Sequence, residues 1–223
     1  MRKTYLIRHG MPDFPGGVRV CLGRSELPLG PVGRMQAFLL ACELGGRVGE
    51  VYSSPLSRAV QTAGAFSLPV TVIDGLAEQY AGEWDGLTFT EIRTRYPELY
   101  ARRAAERYLP LPGSEPDGEA LSRFTRAMDG ILSCGAPAAV VAHASVIRLY
   151  LDSLGAGMVK IPYGSYVELD GGRPVRIGVL PHPEPDDSLC LGLLRAAGTP
   201  ERVISHCAAA ADRASELAGA LGM

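Results

Sequence analysis

Short apolar runs alternate with segments of helical periodicity along this chain, and this alternation is the feature that most restricts its fold. Runs of about four to eight apolar residues bounded by Gly and Pro are typical of strands, and strands that alternate with helices are typical of α/β folds. The strand-like runs cover residues 4–7, 50–53, 70–73, 138–142, 166–169 and 175–179. We therefore expect an α/β architecture.

Capping residues between the strands predict where helices begin and end. One helical pattern starts after Gly30 and ends at Gly45. A second is expected to open at Ser54 and Pro55, since a proline at the first helical position removes no donor that the helix uses. Gly155 is the expected C-terminal cap of another helix. The remaining helical patterns span residues 88–96, 118–133 and 145–154, and residues 109–118 are expected to form a loop.

Length and charge exclude several classes of protein. A chain of 223 residues with 47% hydrophobic residues suits one domain, or one domain with an appendage. Lys and Arg number 22 against 24 Asp and Glu, so neither nucleic acid nor an anionic membrane surface is an expected partner. No segment is long and apolar enough to cross a bilayer. The 5 scattered cysteines show no CxxC spacing, which predicts reduced thiols, a cytoplasmic location and no zinc site.

The last part of the chain is expected to be a separate appendage. Residues 181–187, "PHPEPDD", have the composition of a linker. We predict a first domain over residues 1–181 and a helical tail over residues 182–223. A helix beginning near Glu201 is expected to pack on the domain or on a second copy, which would make a homodimer. Its helically spaced apolar residues are Val203, Cys207, Ala211, Ala214, Leu217 and Leu221.

Three of the predicted strands deliver cationic or potentially cationic side chains at their ends. Arg8 and His9 follow the first run, Arg58 lies in the first turn of the helix after the second, and His143 follows the fourth. Ligands bind at the carboxyl ends of strands in open α/β sheets. Guanidinium groups match phosphate oxygens, helix N-termini attract anions, and a neutral His can attack phosphorus. These features predict a small phosphorylated substrate.

Several blocks of sequence resemble those of the histidine phosphatase superfamily, the phosphoglycerate mutase-like enzymes. They occur in the family's order and span roughly residues 4–170. The blocks are "LIRHG", "CLGRSELPLGPVGRMQA" (21–37), "SSPLSRAVQTA" (53–63), "LAEQYAGEWDGLTFTEI" (76–92) and "VAHASVIR" (141–148). With this resemblance, we expect a three-layer α/β/α sandwich with a mostly parallel central sheet, plus the C-terminal helical appendage.

The resemblance implies a mechanism and its residues. His9 would be the nucleophile and form a phosphohistidine, while Arg8, Arg58 and His143 would hold the phosphoryl oxygens. Glu78 would protonate the leaving alcohol and then activate water. The positive charge of these residues implies that neither a metal nor another cofactor is needed.

Two further residues are expected to contact substrate. Arg24, in the second block, is expected at the rim of the pocket, and Ala144 is expected beside the phosphoryl group. The family usually has two glycines after its second histidine, where this chain has Ala144 and Ser145. Glycines there would let the backbone approach the phosphate closely.

Glu78 and Glu83 both lie in the acid block and compete for the role of general acid. Alignment on Gly82, Trp84 and Gly86 assigns the acid to Glu78. Glu83 is then expected to be a solvated carboxylate.

The implied function is hydrolysis of a small phosphorylated metabolite. The family's cofactor-dependent mutases carry long insertions and more basic residues after the acid block, whereas residues 86–138 are short here. The resemblance is nearest to small phosphatases of the α-ribazole-5′-phosphate type, and pocket-lining loops such as 96–117 are expected to set specificity. The alternatives are mutase-type phosphoryl transfer, a signalling phosphatase that acts on protein phosphohistidine, and a non-catalytic phosphate-binding protein.

The tail also shows a short resemblance to the opening helices of HD-type metal phosphohydrolase domains. Residues 193–207, "LLRAAGTPERVISHC", would make His206 a metal ligand. The chain has no His-Asp dipeptide, and a metal site needs several converging ligands. We therefore expect a plain amphipathic helix without a metal at His206.

Overall fold

The computed structural model of the protein describes residues 3–106, 109–157, 159–183 and 186–220. These residues form a six-stranded sheet close to the predicted positions. The last strand begins earlier than expected, because Arg173 pairs with Asp170 across a tight turn. The strands are β1 (Lys3–Arg8), β2 (Glu50–Ser53), β3 (Val70–Val72), β4 (Ala138–Ala142), β5 (Tyr166–Asp170) and β6 (Arg173–Val179).

The sheet is mixed, with a parallel centre. Its order is β3-β2-β4-β1-β5-β6. The first four strands of this order run parallel, whereas β5 and β6 are antiparallel additions at one edge. The expectation of a mostly parallel sheet is confirmed. Because β1, β2 and β4 are adjacent and parallel, their carboxyl ends meet at one edge.

Alternating side chains of the strands divide the core into two hydrophobic clusters. Leu6 and Val140 belong to one cluster, and their neighbours Ile7 and Val141 belong to the other. This alternation follows from the two-residue period of a strand, whose successive side chains point to opposite faces. Helices cover both faces, so the three-layer prediction is also confirmed.

Eight helices surround the sheet within the described residues. Helices α5 and α6 cover the Leu6 face, and α1 and α2 cover the Ile7 face. The helices are α1 (Pro31–Leu44), α2 (Ser57–Gly64), α3 (Phe89–Arg95), α4 (Pro97–Ala105), α5 (Asp117–Cys134), α6 (Ala144–Ser153), α7 (Asp187–Ala197) and α8 (Glu201–Ala220).

Two helical predictions were wrong in detail. Helix α2 begins after the predicted Ser54-Pro55 start, because Leu56 is extended, with ψ of 136°, and acts as the N-cap. Helix α4 lies within residues expected to be loop. It starts with Pro97, has Glu98 in its first turn and has Arg102 and Arg103 in its last turn, an arrangement that favours a helix.

The tail forms two helices, of which α7 lies against α1. Arg34 Nε donates to the Ala196 carbonyl over 3.0 Å, and Gly192 faces the ring of Phe38. We expected α8 to bury Val203 and Cys207 against the domain or against a second copy. Within the single chain both are exposed, and Ile204 is the buried residue of this turn. The side chain of Leu217 and residue Leu221 lie outside the described residues. Within the described part of the chain, no helix has the length and apolar character needed to span a membrane.

Candidate active site

His9 lies at the centre of the edge where the parallel strands end. Its backbone N–H donates to the Ala142 carbonyl over 3.1 Å, which extends the pairing of β1 with β4 by one residue. The imidazole is buried, and its Nδ1 lies 2.7 Å from the Gly10 carbonyl oxygen. A carbonyl only accepts hydrogen bonds, so Nδ1 bears the proton. Nε2 therefore keeps its lone pair.

The turn after His9 is held by packing against the first turn of α1. A Cβ on Gly10 would lie 2.4 Å from the Gly33 carbonyl oxygen, so only a glycine fits at this close approach. The Gly10 N–H donates to Thr62 Oγ1 over 3.0 Å, and the Thr62 hydroxyl donates to the Arg58 carbonyl over 2.7 Å. These bonds connect His9 to the helix that carries Arg58.

His143 faces His9 from the end of β4. It is fully buried, it is the N-cap of α6, and the two imidazole centroids lie 4.9 Å apart. His143 Nε2 lies 2.7 Å from Ser54 Oγ, which also accepts the Leu56 N–H over 3.3 Å. The Ser54 hydroxyl has a proton that it can donate to Nε2, and in that tautomer the ring proton lies on Nδ1.

The two arginines are held by backbone carbonyls. The terminal nitrogens of the fully buried Arg58 donate to the carbonyls of Ser25 and Gly23 over 2.8 and 2.7 Å. One terminal nitrogen of Arg8 donates to the Ile161 carbonyl over 2.7 Å, and its guanidinium carbon lies 3.5 Å from the centroid of the Tyr163 ring. Both guanidinium groups are therefore fixed before any ligand binds.

Burial and these arginines together keep the two histidines neutral. Burial, followed by the positive charges of Arg58 and Arg8, lowers the pKa of His9 well below its ordinary value. Burial is also the first cause of the lowered pKa of His143, followed by His9 and the same two arginines. A neutral imidazole at position 9 is the form that can act as a nucleophile.

Glu78 is buried and lies beside the first turn of α6. Its Oε2 accepts the Ser145 N–H over 3.1 Å, and its Oε1 accepts the Val146 N–H over 3.2 Å. Glu83, the competing carboxylate, is exposed and accepts the Tyr96 hydroxyl over 2.9 Å. Glu78 thus lies at the strand ends, and Glu83 lies at the surface.

Unpartnered donors concentrate around His9. Within the described residues, four buried side-chain atoms have no hydrogen-bond partner: Arg8 Nε, Arg58 Nε, His143 Nδ1 and Trp84 Nε1. A buried donor without a partner costs about 1–3 kcal/mol. Three of these four donors belong to residues that act electrostatically on His9 or contact its ring. Buried donors of this kind are suitable partners for an anion.

A cavity of about 520 Å³ opens over this site. His9, Arg8, Glu78 and Ala144 line it, together with Tyr163. A second cavity of about 340 Å³ shares Cys21, Leu22, Phe89 and Ser145 with the first, and continues outward past aromatic side chains. Those outer aromatic residues are Tyr80, Trp84 and Tyr100.

Ala144 and Arg24, the two further residues expected to contact substrate, lie in different cavities. Ala144 lines the cavity, and within the described residues only Ser67 combines a positive φ with a side chain, so Ala144 and Ser145 need no glycine-like backbone. Arg24 lines a neighbouring depression instead, where it donates to the Glu78 carbonyl over 3.2 Å and pairs with Glu115. Arg24 therefore stabilises the position of the Glu78 backbone.

Sequence reasoning missed several residues of the site. Ser54 orients His143, Thr62 links two segments, and Tyr163 stacks on Arg8. Ser54 and Thr62 lie inside the "SSPLSRAVQTA" block. The resemblance of this block to the family's sequence could have identified them. Tyr163 follows no pattern in the sequence that predicts its position.

Within the part of the chain that the structure describes, the cysteines and histidines form no metal-ligand cluster. All five cysteines lie in described ranges and are unpaired, and burial raises the pKa of the Cys21 thiol to about 11. No group of three or more His, Cys, Asp or Glu in residues 3–106, 109–157, 159–183 and 186–220 is arranged to hold a metal ion. His206 is exposed on α8.

Two curated relatives resemble this chain over most of its length. A bifunctional protein of Mycobacterium tuberculosis is 37% identical over 164 residues, covering 70% of this chain and 45% of the relative, so this chain spans less than half of that relative's length. A glucosyl-3-phosphoglycerate phosphatase of Mycobacterium tuberculosis is 31% identical over 185 residues, covering 76% of this chain and 81% of the relative.

Among solved structures, the α-ribazole phosphatase of Shigella flexneri shares the fold. It superposes with a TM-score of 0.68 at 22% identity, covering 82% of this chain and 98% of the other. Residues 4–164 match the sequence model of the histidine phosphatase superfamily, branch 1. The strand-end histidines, the two buried arginines and this match together show that the chain belongs to the histidine phosphatase superfamily, branch 1.

Proposed function

We propose that this protein hydrolyses small phosphomonoesters through a phosphohistidine at His9. The observation that most supports this proposal is the set of unpartnered buried donors, Arg8 Nε, Arg58 Nε and His143 Nδ1, around an imidazole whose Nε2 is unprotonated. Donors preorganised for an anion stabilise the charge that develops on the phosphoryl oxygens in the transition state.

The first step transfers the phosphoryl group to His9. The Nε2 lone pair attacks phosphorus, a P–N bond forms, and the P–O bond to the leaving group breaks. The electron pair of that bond moves to the leaving oxygen, which takes the proton of the Glu78 carboxyl group. Arg8, Arg58 and His143 donate to the non-bridging oxygens throughout.

The second step returns the enzyme to its starting state. The Glu78 carboxylate takes a proton from water, and the water oxygen attacks phosphorus. The P–N bond breaks, Nε2 regains its lone pair, and inorganic phosphate leaves. No metal is required in either step, because the arginines supply the positive charge.

The outer cavity supports a leaving group with an apolar part. Trp84, Phe89 and Tyr100 offer it aromatic contact next to the phosphoryl site. A small phosphorylated metabolite such as α-ribazole-5′-phosphate is one candidate. Mutase-type transfer and phosphate binding without catalysis are the alternatives that the experiment below distinguishes.

A turnover and trapping experiment tests the proposal. The chelator-treated protein is screened against phosphomonoesters, and a ³²P-labelled substrate is quenched in alkali, in which phosphohistidine is stable. We expect phosphate release without added metal and a labelled protein that His9→Ala abolishes. Loss of activity on chelation that divalent metal restores would contradict metal independence, and label that survives His9→Ala would contradict the nucleophile. Transfer of the label to a second substrate without phosphate release would favour a mutase. The absence of both labelled protein and phosphate release with every phosphomonoester would favour phosphate binding without catalysis.

A further inference from the structure

Asp85 takes no part in the proposed chemistry, but its carboxylate binds residues 23–25, the segment that holds Arg58. Asp85 Oδ1 accepts the Gly23 N–H over 3.0 Å and the Ser25 hydroxyl over 2.8 Å, and Oδ2 accepts the Arg24 N–H over 2.7 Å. The Ser25 N–H donates to both oxygens, over 3.3 and 3.2 Å. One partly buried carboxylate therefore takes the N–H groups of three consecutive residues.

The 23–25 segment contacts Arg58 through its carbonyls. Arg58 is fully buried, and its two terminal nitrogens donate to the Gly23 and Ser25 carbonyls over 2.7 and 2.8 Å. The Gly23 carbonyl and the Arg24 N–H belong to one peptide unit. Because the C=O and N–H of a trans peptide point in opposite directions, this unit connects the Arg58 guanidinium on one side to Asp85 Oδ2 on the other.

Arg58 has no carboxylate within ion-pair distance among the residues that the structure describes. Burial lowers the pKa of Arg58, and the charges of nearby carboxylates oppose this shift, Glu78 most strongly and Asp85 among the others. A peptide whose N–H is bonded to an anion is a stronger acceptor at its carbonyl, because hydrogen bonds in a chain polarise one another. The Arg24 peptide therefore carries the influence of Asp85 to the buried guanidinium.

Packing fixes the 23–25 segment against the segment that carries Asp85. A Cβ on Gly23 would lie 2.6 Å from the Ala81 backbone nitrogen, a contact too short for any residue other than glycine. The residue after Asp85, Gly86, donates its N–H to the Cys21 carbonyl over 2.8 Å. The carboxylate thus lies at a fixed distance from the three N–H groups that it accepts.

We propose that Asp85 is a positioning residue, which orients Arg58 for the phosphoryl group through the peptide between Gly23 and Arg24. The proposal rests on the proposed function, since it assumes that Arg58 binds the phosphoryl oxygens. Arg58 Nε, which has no partner among the described residues, would be held in the direction of those oxygens by the two carbonyl contacts.

Substitution of Asp85 tests the role directly. Asp85→Asn keeps the size of the side chain but replaces one acceptor oxygen by an NH2 group, so at least one N–H of the segment loses its partner. Misplacement of Arg58 should lower kcat/KM for 4-nitrophenyl phosphate by about 10- to 100-fold. Asp85→Glu, which restores a carboxylate, should recover part of this loss. A folded Asp85→Asn variant with the wild-type kcat/KM would overturn the proposal.

Two further variants serve as the control and the substitute. Asp212→Asn, which removes an exposed carboxylate from α8, is the matched control and should leave kcat/KM unchanged. If Asp85→Asn does not fold, Ser25→Ala takes its place, because it removes one hydrogen bond to the same carboxylate. The expected fall is then about two- to fivefold, and an unchanged kcat/KM would again overturn the proposal.

Two aromatic esters separate an effect on Arg58 from an effect on Glu78, since the Arg24 side chain also donates to the Glu78 carbonyl. The leaving group of 4-nitrophenyl phosphate departs without a proton, whereas that of phenyl phosphate needs one. Arg58 would donate to non-bridging oxygens in both, so Asp85→Asn should lower kcat/KM for the two esters by the same factor. Glu78→Gln should lower it more for phenyl phosphate. A fall confined to phenyl phosphate in Asp85→Asn would overturn the proposal.

A double-mutant cycle tests whether Asp85 acts through Arg58. A lysine cannot donate to both carbonyls as the fork of an arginine does. In the Arg58→Lys background, Asp85→Asn should therefore change kcat/KM by less than about threefold, because two residues that act as a unit are not additive. Falls that simply multiply would show that Asp85 acts independently of Arg58.

Calorimetric titration with inorganic phosphate separates this proposal from the proposed function. Asp85→Asn should weaken phosphate binding by about 10-fold, and Asp212→Asn should leave it unchanged. If the wild-type protein hydrolyses no phosphomonoester, the proposed hydrolysis is wrong, while weaker phosphate binding by Asp85→Asn still supports the positioning role. Equal phosphate binding by the wild type and Asp85→Asn, with hydrolysis intact, would overturn the role of Asp85 alone.

Discussion

At the scale of single residues, the two buried histidines couple the active site to the stability of the fold. Their pKa values are lowered in the folded state, first by burial and then by neighbouring positive groups. The ordinary His pKa is about 6.5. Below this pH the unfolded chain binds protons that the folded chain does not, so the free energy of unfolding falls as pH falls.

We therefore predict that His9 and His143 each remove up to about 2 kcal/mol of stability between pH 7 and pH 5. Urea unfolding at the two pH values measures this difference. In the double variant with His9→Gln and His143→Gln, the pH dependence should shrink, whereas His182→Gln, at an exposed position, should leave it unchanged. A double variant with the wild-type pH dependence would show that these histidines are not the cause.

The same substitution at Glu78 and at Glu83 tests which of the two glutamates transfers the proton. Glu78→Gln keeps an oxygen that accepts one of the two α6 N–H groups, and it loses both the second acceptor and the transferable proton. We predict a fall in kcat of about 10²–10⁴-fold, with phosphate binding retained. Glu83→Gln should change kcat little, because its exposed carboxylate lies at the surface and accepts the Tyr96 hydroxyl. A silent Glu78→Gln beside a damaging Glu83→Gln would reverse the assignment.

At the scale of elements, the N-terminal cap of α3 positions a residue that lines both cavities. Thr88 Oγ1 accepts the Glu91 N–H over 3.1 Å, and the Glu91 carboxylate accepts the Thr88 N–H over 2.8 Å. The next residue, Phe89, lines both the inner and the outer cavity. This reciprocal capping box fixes the helix entry, and with it the position of Phe89.

We predict that Thr88→Ala costs about 1 kcal/mol of stability. Thr94→Ala, in the same helix, should cost less than about 0.5 kcal/mol, because Thr94 is exposed and its hydroxyl only donates back to the Thr90 carbonyl. Chemical unfolding of both variants gives the comparison. Equal costs would mean that the capping box does not stabilise α3.

At the scale of the whole molecule, the tail is joined to the sandwich through α7. A Cβ on Gly192 would lie 2.1 Å from the far end of the Phe38 ring, so α7 and α1 are in close contact at this point. Gly130, inside α5, has open space where its Cβ would be. At Gly192 the Cβ of an introduced alanine would meet a packed side chain, whereas at Gly130 it would meet open space. Comparing the two alanine variants therefore separates the effect of packing from the effect of helix propensity.

We predict that Gly192→Ala destabilises the protein by about 1–3 kcal/mol through overpacking against the Phe38 ring. Gly130→Ala should stabilise it by about 0.5–1 kcal/mol, since alanine loses less backbone entropy than glycine on folding. Thermal unfolding of both variants shows the sign of each change. Stabilisation by Gly192→Ala would show that α7 is not packed on α1 in solution. The domain boundary near residue 181 stays a prediction.

Local sequence patterns determined the strands and the positions of the main site residues. Apolar runs and the Gly and Pro residues that end them depend on neighbours in the chain, so the strand ends at Arg8, His9 and His143 could be predicted. Arg58 in the first turn of its helix followed from the same kind of pattern. The three-layer arrangement was expected from the resemblance of the sequence blocks to those of the histidine phosphatase superfamily.

Only the tertiary structure decided how distant segments meet. The carbonyls of Gly23 and Ser25 orient Arg58, and the Tyr163 ring orients Arg8, contacts that no local pattern encodes. Helical spacing suggested that Val203 and Cys207 are buried, but it specifies only which residues share a face. Which face is covered depends on the element packed against it, and in α8 the buried residue is Ile204.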